Sequence, residues 1–187
     1  MAEENAMITS VVTYLEMTER PTSPTPARPA RKVALLRAEN PTLSYYRFLY
    51  NSVGEDWYWW ERREFDDAEL GAIIHDEKVE IYTLFVGGVP AGYGELDRRQ
   101  EGNGDIELAY FGLVPEFIGL GLGGYFLRWL IDQAWTYSPK RLFVHTCTED
   151  HPAAIHNYQR HGFVPYRQVT VEIVDPATTG LFANKEA

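Results

Sequence analysis

The chain has 187 residues, of which 45% are hydrophobic and 14% aromatic, a composition that predicts one packed domain rather than a disordered chain. Its formal net charge of -10 argues against a nucleic-acid partner, because phosphate contacts dominate that affinity, and favours a cationic or neutral ligand over an acidic one. Cys147 is the only cysteine, which excludes an internal disulfide and fits a reducing cytoplasm, and the sequence has neither a secretion signal nor an apolar run of membrane-spanning length.

The N-terminal part of the chain is predicted to stand apart from the main domain. Residues 9–17 are β-prone and are interpreted as an extra strand at the edge of the sheet. The Pro-, Thr- and Ser-rich stretch at 21–29 is expected to be an extended linker. We therefore divide the chain into an N-terminal strand and linker (1–31), a domain (32–175) and a loose C-terminal tail (176–187).

Within the domain, apolar periodicity and turn residues predict alternating strands and helices. Gly87-Gly88 is expected to be the two-residue turn of a β-hairpin. The predicted elements are, in chain order, a strand at 32–39, helices at 41–53 and 67–75, strands at 79–86, 89–99 and 105–114, a helix at 125–135, a strand at 141–148, a helix at 152–161 and a strand at 166–174. This order predicts a mixed α/β fold, in which helices pack on a largely antiparallel sheet.

A glycine-rich bend, LVPEFIGLGLGG at residues 113–124, joins the strand at 105–114 to the next helix. A helix N-terminus carries unpaired N–H groups and partial positive charge, and glycines let an anion approach them. The bend therefore predicts a phosphate-bearing ligand. Gly119, Gly121 and Gly124 also fit the G-x-G-x-x-G pattern of dinucleotide sites, although there the glycines follow their strand directly, whereas here residues 115–118 intervene.

A second motif, Ala154-x-x-x-Tyr158-x-x-x-Gly162-Phe163, lies on the predicted helix at 152–161. Together with the bend, it resembles the two main motifs of the GCN5-related N-acetyltransferase (GNAT) superfamily. The resemblance implies acetyl-CoA as acyl donor, with its pyrophosphate held by the bend. Two positions depart from the family pattern: Ile118 stands where the family usually has Arg or Gln, and His151 stands where Asn is common.

The resemblance also implies which residues contact the cofactor. In the family the strand before the bend splays from its neighbour, so backbone N–H groups near Leu113 are expected to bind the thioester carbonyl and the pantetheine amide. Pro115 supports an interruption of the ladder there, because proline has no N–H to donate. The expected cofactor-binding residues are Leu113, Val114, Ile118, Gly119, Gly121, Gly123, Gly124, His151 and Ala154.

Two residues are expected to be catalytic. Glu107 is the candidate base, since the family often places its glutamate base on this strand, and apolar neighbours on one strand face would raise its pKa. Tyr158 is the candidate acid, because a phenol can protonate a departing thiolate at neutral pH. Glu95 is expected opposite Glu107 on the neighbouring strand. The alternatives are two solvated carboxylates and a core tyrosine.

An unusual aromatic segment at residues 56–63, DWYWWERR, is the candidate acceptor site. Trp57, Tyr58 and Trp60, with Glu95, are expected to contact an amine substrate, and the alternative is that the rings close the core beside Phe65. Four histidines between 145 and 161 suggest zinc, but their spacing is poor for a shared site, so no metal is predicted.

These observations predict an acetyl-CoA-dependent N-acetyltransferase that acetylates a primary amine of a small molecule by direct attack in a ternary complex. Two alternatives stay open: a non-catalytic module that binds coenzyme A or acyl-CoA, and a dinucleotide-binding oxidoreductase. Neither nucleic acid nor membrane is expected as a partner. The acceptor, the acyl length and the oligomeric state, a homodimer included, are left open.

Overall fold

The computed structural model describes residues 6–182 as one sheet with helices on both faces. The seven strands are β1 (Met7–Met17), β2 (Val33–Arg37), β3 (Val79–Val86), β4 (Val89–Asp97), β5 (Asp105–Leu113), β6 (Arg141–Thr146) and β7 (Val164–Val174). The five α-helices are α1 (Leu43–Gly54), α2 (Glu61–Glu64), α3 (Asp67–Ile74), α4 (Leu122–Trp135) and α5 (Ala154–Arg160).

The strand order across the sheet is β2-β3-β4-β5-β6-β1-β7. Every neighbouring pair is antiparallel except β5 and β6, which run parallel because α4 carries the chain back between them. The expectation of a mixed, mostly antiparallel sheet flanked by helices is confirmed.

The N-terminal strand is confirmed, but it does not lie at the edge of the sheet. β1 pairs on one side with β6, where Tyr14 faces His145, and on the other with β7, where Val12 faces Val169. Leu15 is 0% exposed and packs into the main core. The segment is therefore an interior strand of the same sheet, and β7 is the edge strand.

The core is divided between the two faces of the sheet. One cluster packs β-strand residues such as Tyr82 and Leu84 against Phe126, Leu127 and Leu130 of α4. The other packs Ile81 and Tyr93 against Tyr46, Leu49 and Tyr50 of α1 and against Leu70 and Ile74 of α3. Consecutive residues such as Ile81 and Tyr82 point to opposite faces of a strand, so α1 and α3 lie across the sheet from α4.

The segment after β7 is packed only in part. Phe182 is 6% exposed, its ring meets that of Tyr58 edge-on at 5.2 Å, and the Arg63 guanidinium lies 4.3 Å from its centroid. The prediction of a loose tail therefore fails at Pro176 and Phe182, which are buried, whereas Ala177, Thr178 and Gly180 are exposed, and residues 183–187 lie outside the described part of the chain.

Candidate active site

Strands β5 and β6 separate after a short paired stretch, and a cavity of about 560 Å³ lies between their unpaired parts. The parallel pairing ends with Glu107 opposite Phe143, whereas β5 continues to Leu113 and β6 to Thr146. Beyond that point the cavity is lined from β5 by Ala109, Tyr110, Phe111, Gly112 and Leu113 and from β6 by Val144 and His145. The splayed strand expected near Leu113 is present.

The main chain of β5 offers a free N–H to this cavity. On its other side β5 pairs with β4, and the N–H of Val114 donates to the carbonyl of Ala91 at 3.0 Å. Because hydrogen-bonded and non-hydrogen-bonded pairs alternate in an antiparallel ladder, Leu113 opposite Gly92 turns its N–H away from β4. That N–H points into the gap left by β6. The N–H of Val114, by contrast, is already engaged, and Val114 does not line the cavity.

The glycine-rich bend forms one end of the cavity. Gly119 and Gly121 have φ values of 82° and 74°, and a Cβ added at either would meet no protein atom within 4 Å. Gly121 is the N-cap of α4, and no side chain caps this helix. The first N–H groups of α4 therefore have no intrahelical partner and face open space, as an anion site requires. Ile118, Gly123 and Gly124 also line the cavity.

Helix α5 forms the facing wall. Ala154 and Tyr158 both line the cavity, and Tyr158 packs edge-on against Phe111 and Phe163. Burial, with a smaller effect from Asp150, raises the pKa of the Tyr158 phenol well above its usual value of 10.0. Tyr158 therefore keeps its proton at neutral pH. His151 lies just before the helix, where its Nδ1 accepts the Ala153 N–H at 3.0 Å and its ring contacts Trp57.

The aromatic segment forms the other end of the cavity. The predicted acceptor residues Trp57, Tyr58 and Trp60 all line it, and so does Trp59 between them. Trp59 donates its Nε1–H to Oδ1 of Asp150 at 3.0 Å. The second oxygen of Asp150 accepts from Thr146 and from the Cys147 N–H, so this carboxylate ties the segment to the end of β6.

Glu95 does not belong to this cavity. A β-bulge between Glu95 and Leu96 shifts the register, so that Tyr110 lies opposite Glu95 and Asp97 lies opposite Glu107. Glu95 is 0% exposed and accepts from Arg62 at 2.8 Å and from the Tyr46 hydroxyl at 2.6 Å. Glu95 therefore does not face Glu107, which has Asp97 opposite it, and Glu95 belongs to an interior ion pair rather than to an acceptor site.

Glu107 does not line the cavity, but it contacts His145, which does and which was not predicted as a site residue. Oε1 of Glu107 lies 3.1 Å from Nδ1 of His145. The hydrogen bond to Glu107 raises the pKa of His145 above its usual 6.5. The parallel pairing of Glu107 with Phe143 places residue 145 on the same face as Glu107, and this register cannot be read from the sequence.

Carboxylates dominate the charged side chains at the aromatic end. Glu61, Glu149 and Asp150 line the cavity there, and Glu149 accepts from the hydroxyls of Ser10 and Thr148. Among the described residues, Arg160 is the only arginine or lysine lining the cavity, and it lies on α5 with Tyr158. The two ends therefore differ in electrostatic character.

Residues 6–182 contain neither a candidate metal site nor a candidate membrane-spanning helix. No group of three or more His, Cys, Asp or Glu side chains in this range is arranged to hold a metal ion. No helix in the same range combines the length and apolarity needed to cross a lipid bilayer.

Solved structures share this architecture at low sequence identity. A GCN5-related N-acetyltransferase from Kribbella flavida superposes with a TM-score of 0.60 at 18% identity over 91% of this chain and 60% of its own. One from Sphaerobacter thermophilus gives 0.63 at 13% identity over 88% and 51%. An aminoglycoside acetyltransferase from an uncultured soil metagenomic sample gives 0.57 at 12% identity over 73% and 91%. These likenesses show the fold.

The chain spans 51% to 63% of the length of the first four structures that it matches. No curated protein matches it. Residues 46–163, well over half of the chain, match the model of the acetyltransferase (GNAT) family, and this range includes the bend and helix α5. The chain therefore belongs to the GNAT family of acetyltransferases.

Proposed function

We propose that this protein is an acetyl-CoA-dependent N-acetyltransferase that acetylates a primary amine of a small molecule by direct attack in a ternary complex. One observation carries the proposal. A single cavity runs from the open N-terminus of α4, between the parted strands β5 and β6, to the aromatic segment. A long donor and a separate acceptor can therefore meet inside it without a covalent enzyme intermediate.

The bend end suits acetyl-CoA. The N–H groups of Gly119 to Gly124 and the dipole of α4 would bind the pyrophosphate, and Ile118 would contact the cofactor through apolar surface rather than through charge. The free N–H of Leu113 would donate to the thioester carbonyl or to the pantetheine amide. His151 and Ala154 would line the path of the pantetheine arm.

The phenol of Tyr158 would protonate the departing thiolate. It lines the cavity on the wall that faces β5, and its raised pKa keeps it a donor at neutral pH. Loss of the leaving group becomes easier when the developing sulfur anion receives a proton or a hydrogen bond.

The aromatic end suits a cationic amine. Indole faces attract ammonium groups, and Glu61, Glu149 and Asp150 give this end a negative field. The chain's net charge of -10 acts in the same direction. An acceptor that carries its own carboxylate should bind poorly here. A cytoplasmic location and the oligomeric state, a homodimer included, stay predictions.

Binding and turnover should be measured separately. Calorimetry with coenzyme A should show stoichiometric binding. Turnover should be measured by thiol release with three amines of matched size, which bear an extra ammonium, no extra charge or a carboxylate. We expect kcat/KM to be highest for the amine with the extra ammonium and lowest for the one with the carboxylate. Binding without turnover across the panel would favour the non-catalytic coenzyme A module. Stabilisation by NAD or NADP but not by coenzyme A would contradict the proposal altogether.

Replacing Tyr158 with phenylalanine tests its role as the acid. The variant keeps the ring that packs against Phe111 and Phe163 and removes only the hydroxyl. We expect kcat to fall on the order of 100-fold, as for loss of a general acid, with coenzyme A affinity unchanged. Tyr166→Phe, on the exposed part of edge strand β7, is the matched control and should have wild-type kcat. Full activity of Tyr158→Phe would remove the phenol from the mechanism.

A further inference from the structure

We propose that His145 is the group that takes the proton from the acceptor amine, and that Glu107 is a positioning residue that orients and charges it. The inference rests on the proposed acetyl transfer and identifies a catalytic residue for it. It departs from the sequence-based expectation, in which Glu107 itself was the base.

The position of the two residues relative to the cavity supports this order. His145 lines the cavity on the β6 wall, at the point where β5 and β6 separate, whereas Glu107 lies in the last paired position of β5. The Glu107 side chain is 19% exposed, whereas the His145 side chain is 37% exposed. A substrate entering between the aromatic segment and the strands would therefore meet the imidazole before the carboxylate.

The hydrogen bond fixes which nitrogen is available. Oε1 of Glu107 lies 3.1 Å from Nδ1, so a neutral His145 donates Nδ1–H to the carboxylate and keeps its lone pair on Nε2. Proton uptake at Nε2 then gives an imidazolium beside a carboxylate, which is a stabilised ion pair. This arrangement makes His145 a better base than an isolated imidazole.

Two other carboxylates near His145 act in the same direction. Glu61 of α2 and Asp150 of the β6–α5 loop both favour the imidazolium, although less than Glu107 does. The centroid of the Tyr14 ring of β1 lies 5.8 Å from that of the imidazole. The Arg167 guanidinium of β7 lies 5.6 Å from the centroid of the same Tyr14 ring. Carboxylates thus surround the base, and the cation is screened by an aromatic ring.

Nε2 of His145 takes one proton from the acceptor ammonium, and the freed nitrogen lone pair forms a bond to the thioester carbonyl carbon. The carbon–sulfur bond then breaks, and its electron pair leaves on sulfur, which receives the proton of the Tyr158 hydroxyl. A second proton from the new amide nitrogen restores Tyr158, and His145 releases its proton to solvent.

The pH dependence of kcat/KM distinguishes the two possible bases. Activity requires neutral His145, so it rises with pH through the pKa of His145. Glu107→Gln removes the carboxylate that raises this pKa, so the acidic limb should move to lower pH while the plateau falls roughly 10- to 100-fold, as for loss of a hydrogen bond to a charged group. If Glu107 were the base, the same variant would lose the limb instead.

His145→Gln should lower kcat/KM by roughly 100-fold or more and abolish the acidic limb, with coenzyme A affinity unchanged by calorimetry. Asp105→Asn is the matched control: Asp105 lies two residues before Glu107 on the same face of β5 and binds Arg141 across the same pair of strands. It should leave the limb in place.

The results separate three cases. An unchanged limb in Glu107→Gln, or a normal profile in His145→Gln, overturns the inference. Absence of turnover in the wild-type protein contradicts the proposed function instead. Retained binding of coenzyme A by both variants shows that neither effect arises from misfolding.

Discussion

The two ends of the cavity are built in different ways. At the bend end the main chain provides the polar groups, through glycines with positive φ, an uncapped helix and a strand N–H that faces a gap. At the aromatic end side chains from several separate segments converge, with Trp57, Glu61, His145 and Glu149 among them. A cofactor shared by a whole family suits the first construction, and an acceptor particular to one protein suits the second.

The difference has an energetic side. Backbone donors at the bend are fixed by the helix and the turn, so they need no side-chain ordering when an anion binds. The aromatic end depends on hydrogen bonds between loops, such as those of Asp150 with Trp59 and Thr146. Substitutions at the bend should therefore lower cofactor affinity, and substitutions at the aromatic end should leave cofactor affinity unchanged.

The largest effect on ligand binding is expected at the bend. Gly121→Ala places a methyl group where no protein atom lies within 4 Å, which is the space assigned to the pyrophosphate. We expect coenzyme A affinity to fall roughly tenfold or more, which corresponds to about 1.4 kcal/mol or above, as measured by calorimetry. The variant should also lose about 1–2 kcal/mol of stability, because alanine disfavours a left-handed conformation.

Gly87→Ala is the control for backbone strain. Gly87 also has a positive φ, 60°, and open space around its Cα, but it lies in the β3–β4 turn away from the cavity. It should lose similar stability and keep its cofactor affinity. Equal loss of affinity in both variants would mean that strain, not the anion site, is responsible.

An intermediate effect is expected at the aromatic end. Glu61→Gln neutralises one carboxylate of the cavity wall while keeping an acceptor for the Tyr110 hydroxyl. KM for a cationic amine should rise roughly two- to fivefold, the range of a partly exposed ion pair, with coenzyme A affinity unchanged. Glu64→Gln, on the exposed side of the same short helix, should leave KM unaltered. A shift in cofactor affinity instead of KM would break the division between the two ends.

The smallest effect is expected where β1 supports the acidic wall. Burial raises the pKa of Glu149, but hydrogen bonds from Ser10, Cys147 and Thr148 outweigh it and hold the pKa below 4.5. A lowered pKa means that the stabilisation is present above the unfolded value and is lost as pH falls through the folded value. Ser10→Ala should therefore cost roughly 1 kcal/mol at pH 7, with the difference shrinking in acid.

Denaturant unfolding at several pH values would measure this cost. Thr9→Ala is the matched variant, since the neighbouring hydroxyl of β1 donates to Glu172 of β7 at an exposed position. It should cost no more than a few tenths of a kcal/mol. A Ser10→Ala difference that stays constant down to pH 3 would rule out Glu149 as its source.

The difference between the two ends of the cavity also explains which site residues could be predicted from the sequence. Gly119, Gly121 and Tyr158 lie where their motif implied, because a motif encodes local geometry within one turn or helix. Glu95 was misplaced because strand register cannot be read from the alternation of residues: Glu95 lies opposite Tyr110, three residues from Glu107, and the β-bulge accounts for only one of these three. His145 and Trp59 were overlooked as site residues, because their roles depend on partners, Glu107 and Asp150, that tertiary structure brings to them.

The placement of β1 has a consequence for how the protein is made. Tyr14 must wait for His145, and Val12 for Val169, so β1 stays without strand neighbours until β6 and β7 have been translated. The sheet then closes around it, and the N–H of Asp175 donates to the carbonyl of Ala6. Since the first and last described strands finish side by side, joining them and opening a new end at the Gly87-Gly88 turn should yield a circular permutant with the same fold.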